Sequence, residues 1–216
     1  MSIAVVVFTD GRRDCLTHTI SSLREAWENN PVDQVVIVND AADPEYTDFL
    51  NWKYSFYDLI HHDTRRGFAG AIQSGWDAVG HHDWIFHLED DFTFNEAIDV
   101  HGMIHVLEQN PMVVQMALKR QPWNEYEIEA GGFMEMHPEE WVNETTDGYR
   151  WCWQRRFFTT NPSFYRGSLT ERGWPQVEHS EGMFGIDLVA SDPAIKFGFW
   201  GYTSDPPRVH HIDTRS

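Results

Sequence analysis

The sequence predicts an α/β fold in which helices flank a mostly parallel central sheet. Strand-like apolar runs alternate with amphipathic helical patterns through residues 1–118, and this alternation favours a parallel sheet with helical crossovers. The run at residues 3–8 is almost continuously apolar, as expected of a strand buried on both faces. A chain of 216 residues fits one domain with a sizeable core.

Five strands are predicted in the first half, each from an apolar run. They cover residues 3–8, 35–38, 56–60, 84–88 and 113–118. Four helices are predicted between them from the 3.6-residue spacing of apolar positions, over about residues 14–27, 43–50, 68–79 and 95–109. Asp14, Asp43 and Asn95 are the candidate N-caps, because short polar side chains accept hydrogen bonds from free N–H groups at helix starts.

The regular alternation stops after Leu118. Residues 121–160 are rich in Trp, Glu, Gly and Tyr and are predicted to form loops with short strands. Helices predicted at 168–172 and 180–190 precede a last strand at 195–200. Because no linker is evident, we expect a single domain over residues 1–216 with two lobes, about 1–118 and about 119–216.

Charge and cysteine content restrict the partners and the compartment. The formal net charge is -18, from 16 Lys and Arg against 34 Asp and Glu, so nucleic acids and anionic lipids are disfavoured. Two cysteines, Cys15 and Cys152, do not make a disulfide framework. No run reaches the roughly 20 apolar residues of a membrane span, and the apolar start is too short for a signal peptide. We therefore expect a soluble, cytoplasmic protein.

Glu89, Asp90 and Asp91 form an acidic triplet directly after a buried strand. Adjacent carboxylates repel one another and are best tolerated where a cation neutralises them. Ligands of parallel α/β sheets bind at the carboxyl ends of the strands. The triplet therefore indicates a metal site, and a solvated acidic turn is the alternative.

Two further segments have the chemistry of a nucleotide site. Asp40 ends the second strand and can accept a hydrogen bond from a base or a ribose hydroxyl, although an Asx turn is the better explanation for this residue on its own. Arg65, Arg66 and Gly67 precede the third helix, where cations and free N–H groups suit a diphosphate. Two exposed cations at a corner are the alternative.

The last third of the chain adds candidate bases and a candidate metal ligand. Carboxylates at Glu178, Glu181 and Asp187 precede or lie on a predicted helix, and one of them could deprotonate a hydroxyl; helix N-terminal acids are the alternative. The pair His210 and His211 could complete a metal site by folding back, although a single histidine pair is more often on the surface.

Four segments follow one another in this order: VVVFTDGR, IVND, RRGFAGAIQSGW and FHLEDDF. Together they resemble the glycosyltransferases of the A-type, Rossmann-like fold, particularly the large inverting family 2. Gly67, Ala71 and Gly75 keep the offsets of that family's helix motif, whereas Glu89 stands where Asp is usual. The resemblance covers residues 1–118 well and the remainder loosely. It implies metal-dependent transfer of a sugar from a nucleotide sugar, expected to be a UDP-sugar, to an acceptor hydroxyl with inversion.

The resemblance also assigns roles, with a donor-binding first half and an acceptor-side second half. Mn²⁺ or Mg²⁺ would be held by Asp91 and His211, with His210 in reserve, and Glu181 would be the catalytic base. Asp187, from the residues alone, is the second candidate for the base. The nucleotide sugar would be contacted by Thr9, Asp10, Arg12, Asp40, Arg65, Arg66, Gly67, Glu89 and Asp90.

Two other functions remain open from the residues alone. A nucleotidyltransferase also combines paired carboxylates, a metal and a parallel sheet, but usually has a Gly-rich basic loop after its first strand. The loop here, residues 9–13, has one glycine, so this alternative ranks lower. A non-catalytic carbohydrate-binding module, with Trp and Tyr as platforms, is the second alternative.

Overall fold

The computed structural model describes residues 1–212 and contains a nine-stranded sheet, a two-stranded sheet and flanking helices. The strands are β1 Ile3–Thr9, β2 Gln34–Asn39, β3 Asp58–His61, β4 Trp84–Glu89, β5 Phe92–Phe94, β6 Val113–Ala117, β7 Val142–Thr146, β8 Tyr149–Gln154, β9 Ser163–Arg166, β10 Lys196–Trp200 and β11 Val209–His211. The α-helices are α1 Arg13–Ala26, α2 Pro44–Lys53, α3 Gly67–Val79, α4 Val100–Gln109, α5 Glu125–Ala130 and α6 Ser180–Ser191.

The large sheet has the order β3-β2-β1-β4-β9-β6-β10-β8-β7. Strands β3, β2, β1 and β4 are all parallel, and β6 and β10 are parallel to each other. Strand β9 is antiparallel to both β4 and β6, and β8 and β7 continue the sheet in antiparallel pairing. The predicted α/β fold with a parallel first half is confirmed, and the second half makes the sheet mixed.

Strand β1 is buried on both faces, as its apolar run predicts. Ile3, Val5 and Val7 pack in one core cluster with α1, α2 and α4. Ala4, Val6 and Phe8 pack in a second cluster with α3 and α6. Since successive side chains of a strand point to opposite faces, the continuous apolar run fills both layers of the core.

Two predicted N-caps are wrong. Helix α1 begins at Arg13 after Arg12, so Asp14 lies in its first turn, where its charge still favours the helix dipole. Helix α4 begins at Val100, and Asp99 caps it by accepting a hydrogen bond from the Gly102 N–H at 2.8 Å. Asn95 instead donates to the Pro207 carbonyl at 2.8 Å, because β5 occupies the preceding residues.

The predicted cap of α2 is confirmed, since the Asp43 carboxylate accepts from the Glu45 N–H at 2.9 Å. The loop-rich region also contains a regular element, the β7–β8 hairpin. Asp147 and Gly148 form its two-residue turn with φ of 50° and 90°, the left-handed conformation that Asp-Gly hairpin turns adopt. Within residues 1–212, no helix is both long enough and apolar enough to cross a bilayer.

The approach of α3 to β1 gives a stability prediction. A Cβ at Gly75 would lie 2.7 Å from the Phe8 ring and 2.9 Å from the Val6 side chain. We expect Gly75→Ala to lower the free energy of unfolding by about 1–3 kcal/mol, as overpacking does. Urea unfolding followed by circular dichroism measures this loss. Gly182→Ala is the matched control, because its Cβ would meet nothing within 4 Å; equal stability of the two variants would contradict the prediction.

Candidate active site

The carboxyl ends of β1, β2 and β4 meet at one edge of the sheet. Thr9 pairs with Asn39 across β1 and β2, and Phe8 pairs with Glu89 across β1 and β4. The turns that follow are joined by backbone hydrogen bonds, from Asp90 N to the Phe8 carbonyl at 3.0 Å and from Asp40 N to the Thr9 carbonyl at 2.9 Å. The acidic triplet, the first loop and Asp40 therefore share one edge.

Asp90 is fully buried and is held on every side. Its carboxylate accepts a hydrogen bond from the Thr9 hydroxyl at 2.6 Å and forms an ion pair with Arg12. The Thr19 hydroxyl donates to its backbone carbonyl at 2.7 Å. Burial raises the pKa of Asp90 to about 7, although Arg12 and Thr9 act to lower it. These contacts hold Asp90, and the turn that contains it, against β1 and α1.

Asp91 is the carboxylate that combines burial with an unused oxygen. Its Oδ2 forms an ion pair with Arg12 and lies 3.1 Å from His211 Nε2. Burial acts to raise the pKa of Asp91, but the hydrogen bonds and charges of His211 and Arg12 outweigh it and hold the pKa below its usual value. Its Oδ1 is buried and has no hydrogen-bond partner within residues 1–212. Such an atom is costly unless a ligand satisfies it.

His211 reaches Asp91 because β11 pairs with β5, directly after the acidic triplet. The Gln121 side chain makes two hydrogen bonds with the His211 backbone, both at 2.9 Å. Its amide N–H donates to the His211 carbonyl, and its amide oxygen accepts from the His211 N–H. The imidazole lies against the rings of Phe92 and Trp123, with centroids 4.7 and 3.9 Å away. His210, on the same strand, is exposed, as alternation along a strand requires. The structure therefore brings His211, and not His210, to Asp91.

Glu89 and Glu181 meet through Thr160, on the other side of β4. The Thr160 N–H donates to Glu181 at 2.7 Å, and the Thr160 hydroxyl donates to the same carboxylate at 3.3 Å. The Thr160 side chain also acts to lower the pKa of Glu89. Burial, followed by the charges of Asp91, Glu181 and Asp90, raises the pKa of Glu89 to about 8. Burial also raises the pKa of Glu181. Carboxyl groups with raised pKa values in a cleft are suited to hold or accept a proton near neutral pH.

Asp40 holds the start of α3. Its carboxylate accepts hydrogen bonds from the N–H groups of Arg66 and Gly67 at 2.7 and 2.8 Å, and it bonds His62 Nδ1 at 2.7 Å. The Arg65 guanidinium donates to the Asp10 carbonyl at 2.9 Å. Asp40 thus positions the α3 terminus beside the first loop, and Arg65 is exposed at the same rim.

Most of the residues selected from the sequence lie along this edge. Thr9 is buried and bonds Asp90 and Tyr46, whereas Asp10 is partly exposed and pairs with Arg12 at 3.0 Å. Asp187 is exposed and lines a different cavity, beside Trp174 and Phe184. The structure does not bring Asp187 to the acidic triplet.

Two residues that organise the edge are not predicted by the sequence, and a third has an unpredicted role. The sequence selects Arg12 as a donor contact but does not predict its bridge between Asp90 and Asp91. Thr160 links Glu89 to Glu181, and Gln121 fixes His211. Thr160 and Gln121 lie in the region without a periodic pattern, so no signal in the sequence marks them.

A mixed sheet with a parallel first half and carboxylates at the carboxyl end of β4 is the arrangement of the A-type glycosyltransferase fold. The family model described as glycosyl transferase family 2 matches residues 2–174. The chain belongs to this family. A search of curated proteins found no match.

Solved structures share the fold. S. aureus TarS residues 1–349 in complex with UDP has a TM-score of 0.67 at 15% identity, over 99% of this chain and 61% of that chain. The mannosyltransferase PcManGT from Pyrobaculum calidifontis, in complex with GDP-Man and Mn²⁺, has a TM-score of 0.63 at 15% identity, over 99% of this chain and 57% of that chain. The chain thus spans about three fifths of the length of these proteins.

The residues at the edge fit a divalent cation. Asp91 offers a buried oxygen without a partner within residues 1–212, and His211 offers an imidazole beside it. Carboxylate oxygens suit Mg²⁺ and Mn²⁺, and imidazole is a common metal ligand. Within residues 1–212, the one group of three close candidate ligands lies elsewhere, at His137, Glu139 and Glu140. A divalent cation held by Asp91 and His211 would take its remaining ligands from phosphate oxygens and water, as is usual for Mg²⁺.

Arg12 gives a second stability prediction. Arg12→Ala leaves two buried carboxylates without their cation, so we expect a loss of about 3–5 kcal/mol in the free energy of unfolding. Urea unfolding at pH 7 in EDTA measures it. Arg13→Ala is the control, because Arg13 is the adjacent residue and is exposed. The free energy of unfolding of this variant should stay within about 0.5 kcal/mol of the wild type. Similar losses for both variants would show that Arg12 does not hold the triplet.

Proposed function

We propose that this protein is a metal-dependent glycosyltransferase that transfers a sugar from a nucleoside-diphosphate sugar to an acceptor hydroxyl with inversion. Family membership supports the reaction class. The single observation that carries the metal dependence is the buried, unpartnered Oδ1 of Asp91 beside His211. TarS binds UDP and UDP-GlcNAc, and PcManGT binds GDP-Man with Mn²⁺. These ligands make a UDP-sugar, with Mn²⁺ or Mg²⁺, the first donor to test here.

The donor would lie along the edge formed by β1, β2 and β4. Asp10 and Arg65 would border the nucleotide and its phosphates beside the start of α3, where the Gly67 N–H is bonded to Asp40. Arg65 is exposed beside the first loop, where a guanidinium can pair with phosphate oxygens. Asp91 and His211 would hold the cation, which supplies charge neutralisation for the leaving diphosphate.

Glu181 is the proposed base. Its carboxylate is fixed by the Thr160 N–H, and its pKa is raised by burial, which makes it a stronger proton acceptor. It takes the proton of the acceptor hydroxyl while that oxygen bonds to the anomeric carbon. The bond from this carbon to the diphosphate oxygen breaks on the opposite side, so the configuration inverts. Asp187, the second candidate, is exposed and lines a different cavity, beside Trp174 and Phe184.

Two further properties are proposed from the composition of the chain. Cytoplasmic location follows from the cysteine content and from the expectation of a soluble chain. The strongly negative charge supports a small-molecule donor over a nucleic-acid partner.

A screen of nucleotide sugars for hydrolysis with Mn²⁺ or Mg²⁺ tests the proposal. Release of pyrophosphate from a nucleoside triphosphate and a sugar phosphate would indicate a nucleotidyltransferase instead.

Asp91 gives the metal prediction. Asp91→Ala removes the proposed ligand oxygen, so we expect Mn²⁺-dependent binding of UDP to weaken at least about tenfold, since even indirect metal partners contribute that much. Isothermal titration of UDP with and without Mn²⁺ measures this change. Asp48→Ala is the control, because Asp48 is an exposed carboxylate on α2. If Asp91→Ala kept full Mn²⁺-dependent binding of UDP, Asp91 would not be a ligand of the metal.

Glu181 gives the catalytic prediction. Glu181→Gln keeps the shape of the side chain but cannot accept the proton, so kcat should fall by about 10²–10⁴-fold. The donor Kd should stay within about twofold, because binding does not need this proton transfer. Transfer assays and titration of the donor measure the two quantities. Glu178→Gln is the exposed control, and Asp187→Asn tests the second candidate; a large loss in Asp187→Asn alone would move the base there.

A further inference from the structure

Glu181 borders two separate cavities. The first has a volume of about 550 Å³, and its opposite wall is the start of α3, from Arg66 to Ala69. The second has a volume of about 520 Å³ and is lined largely by side chains of residues 120–161. We name the second one the aromatic cavity. Both volumes fall in the usual range for small-molecule sites, and the proposed base forms part of both walls.

Aromatic rings form the apolar wall of the aromatic cavity. Phe133, Trp141, Phe157 and Phe158 line it. The Trp141 ring packs against Phe199 and Phe133, with centroids 5.2 and 5.7 Å away, yet the residue stays partly exposed. A packed ring with an accessible part offers a rigid apolar surface. Sugar rings present C–H groups that pack against such surfaces, while their hydroxyls bond the polar groups around them.

The charges around the aromatic cavity are balanced or negative. Glu127 binds the Arg120 guanidinium with both oxygens, at 2.6 and 2.9 Å. Glu140 forms an ion pair with Arg156. Both arginines that line the cavity are therefore neutralised, and Glu181 adds a further carboxylate. An anionic ligand would meet repulsion from Glu181 with no unpaired arginine to offset it.

We propose that the aromatic cavity binds an uncharged sugar ring of the acceptor and presents one of its hydroxyls to Glu181. The inference rests on the proposed function, because only a transferase needs an acceptor beside this base. Thr159 and Asn161 line the same cavity and supply hydrogen-bonding groups for other hydroxyls. The cavity thus favours acceptors that have an apolar sugar-ring face and carry no negative charge.

Gly182 allows the cavity to be blocked with a matched control. It lines the aromatic cavity on α6, and a Cβ there meets nothing within 4 Å. Gly182→Trp should fill the cavity without displacing neighbouring side chains, whereas Gly182→Ala should leave it open. Trp141→Ala removes one wall, and Trp52→Ala is its control because Trp52 is 79% exposed on α2.

The test uses the full chain and a mixture of methyl glycosides of common hexoses, with the matching hexuronic acids as charged comparisons. Saturation-transfer NMR reports binding of the glycosides, and Mn²⁺-dependent binding of UDP is measured in parallel. We expect methyl glycosides to bind the wild type and Gly182→Ala, to be lost from Gly182→Trp, and to bind Trp141→Ala about three- to tenfold more weakly. Mn²⁺-dependent binding of UDP, measured by isothermal titration, should remain within about twofold in the cavity variants, because this cavity does not include Asp91 or His211.

The outcomes separate this inference from the proposed function. Methyl glycosides that bind Gly182→Trp as well as wild type, or hexuronic acids that bind better, would overturn the acceptor site while donor binding still stands. A wild-type protein that binds no nucleotide sugar with any metal would overturn the proposed function, and the acceptor site with it. Circular dichroism of each variant distinguishes loss of binding from loss of folding.

Discussion

The candidate site depends on neutralising carboxylates that are buried together where β4 ends. Asp90 and Asp91 lie within the protein at adjacent positions, and Arg12 pairs with both. Removing charges from water is costly unless opposite charges and hydrogen bonds compensate. Thr9, Arg12 and His211 provide that compensation. Thr9 ends β1, Arg12 lies in the loop that follows, and His211 lies on β11. The electrostatic requirement therefore ties distant segments of the chain to one point.

The compensation is complete for Asp90 and incomplete for Asp91. Both oxygens of Asp90 have partners, whereas Asp91 Oδ1 has none within residues 1–212. Adjacent residues of the same type thus have different roles. Asp90 maintains the turn, and Asp91 offers an oxygen at the edge of the sheet, where parallel α/β proteins bind their ligands.

The mixed half of the sheet brings Thr160 and Glu181 together near the end of β4. Strand β9 inserts between β4 and β6, so Thr160, just before it, lies beside Glu89 at the end of β4. Helix α6 then delivers Glu181 to Thr160. A wholly parallel sheet would leave this side of β4 to another parallel strand, and the carboxylate pair of Glu89 and Glu181 would not form in this way.

The sequence alone determined the first half of the fold and the carboxylates of the site. The continuous apolar run of β1 and the helical spacing in α3 are local patterns, and each element formed close to its predicted bounds. The acidic triplet was visible because it follows a buried strand. Tertiary structure decided the rest: β9 pairing, the Arg12 bridge and the approach of His211 each join residues far apart in the chain. Local periodicity carries no information about such long-range partners, since burial and charge compensation select them only when the chain has folded.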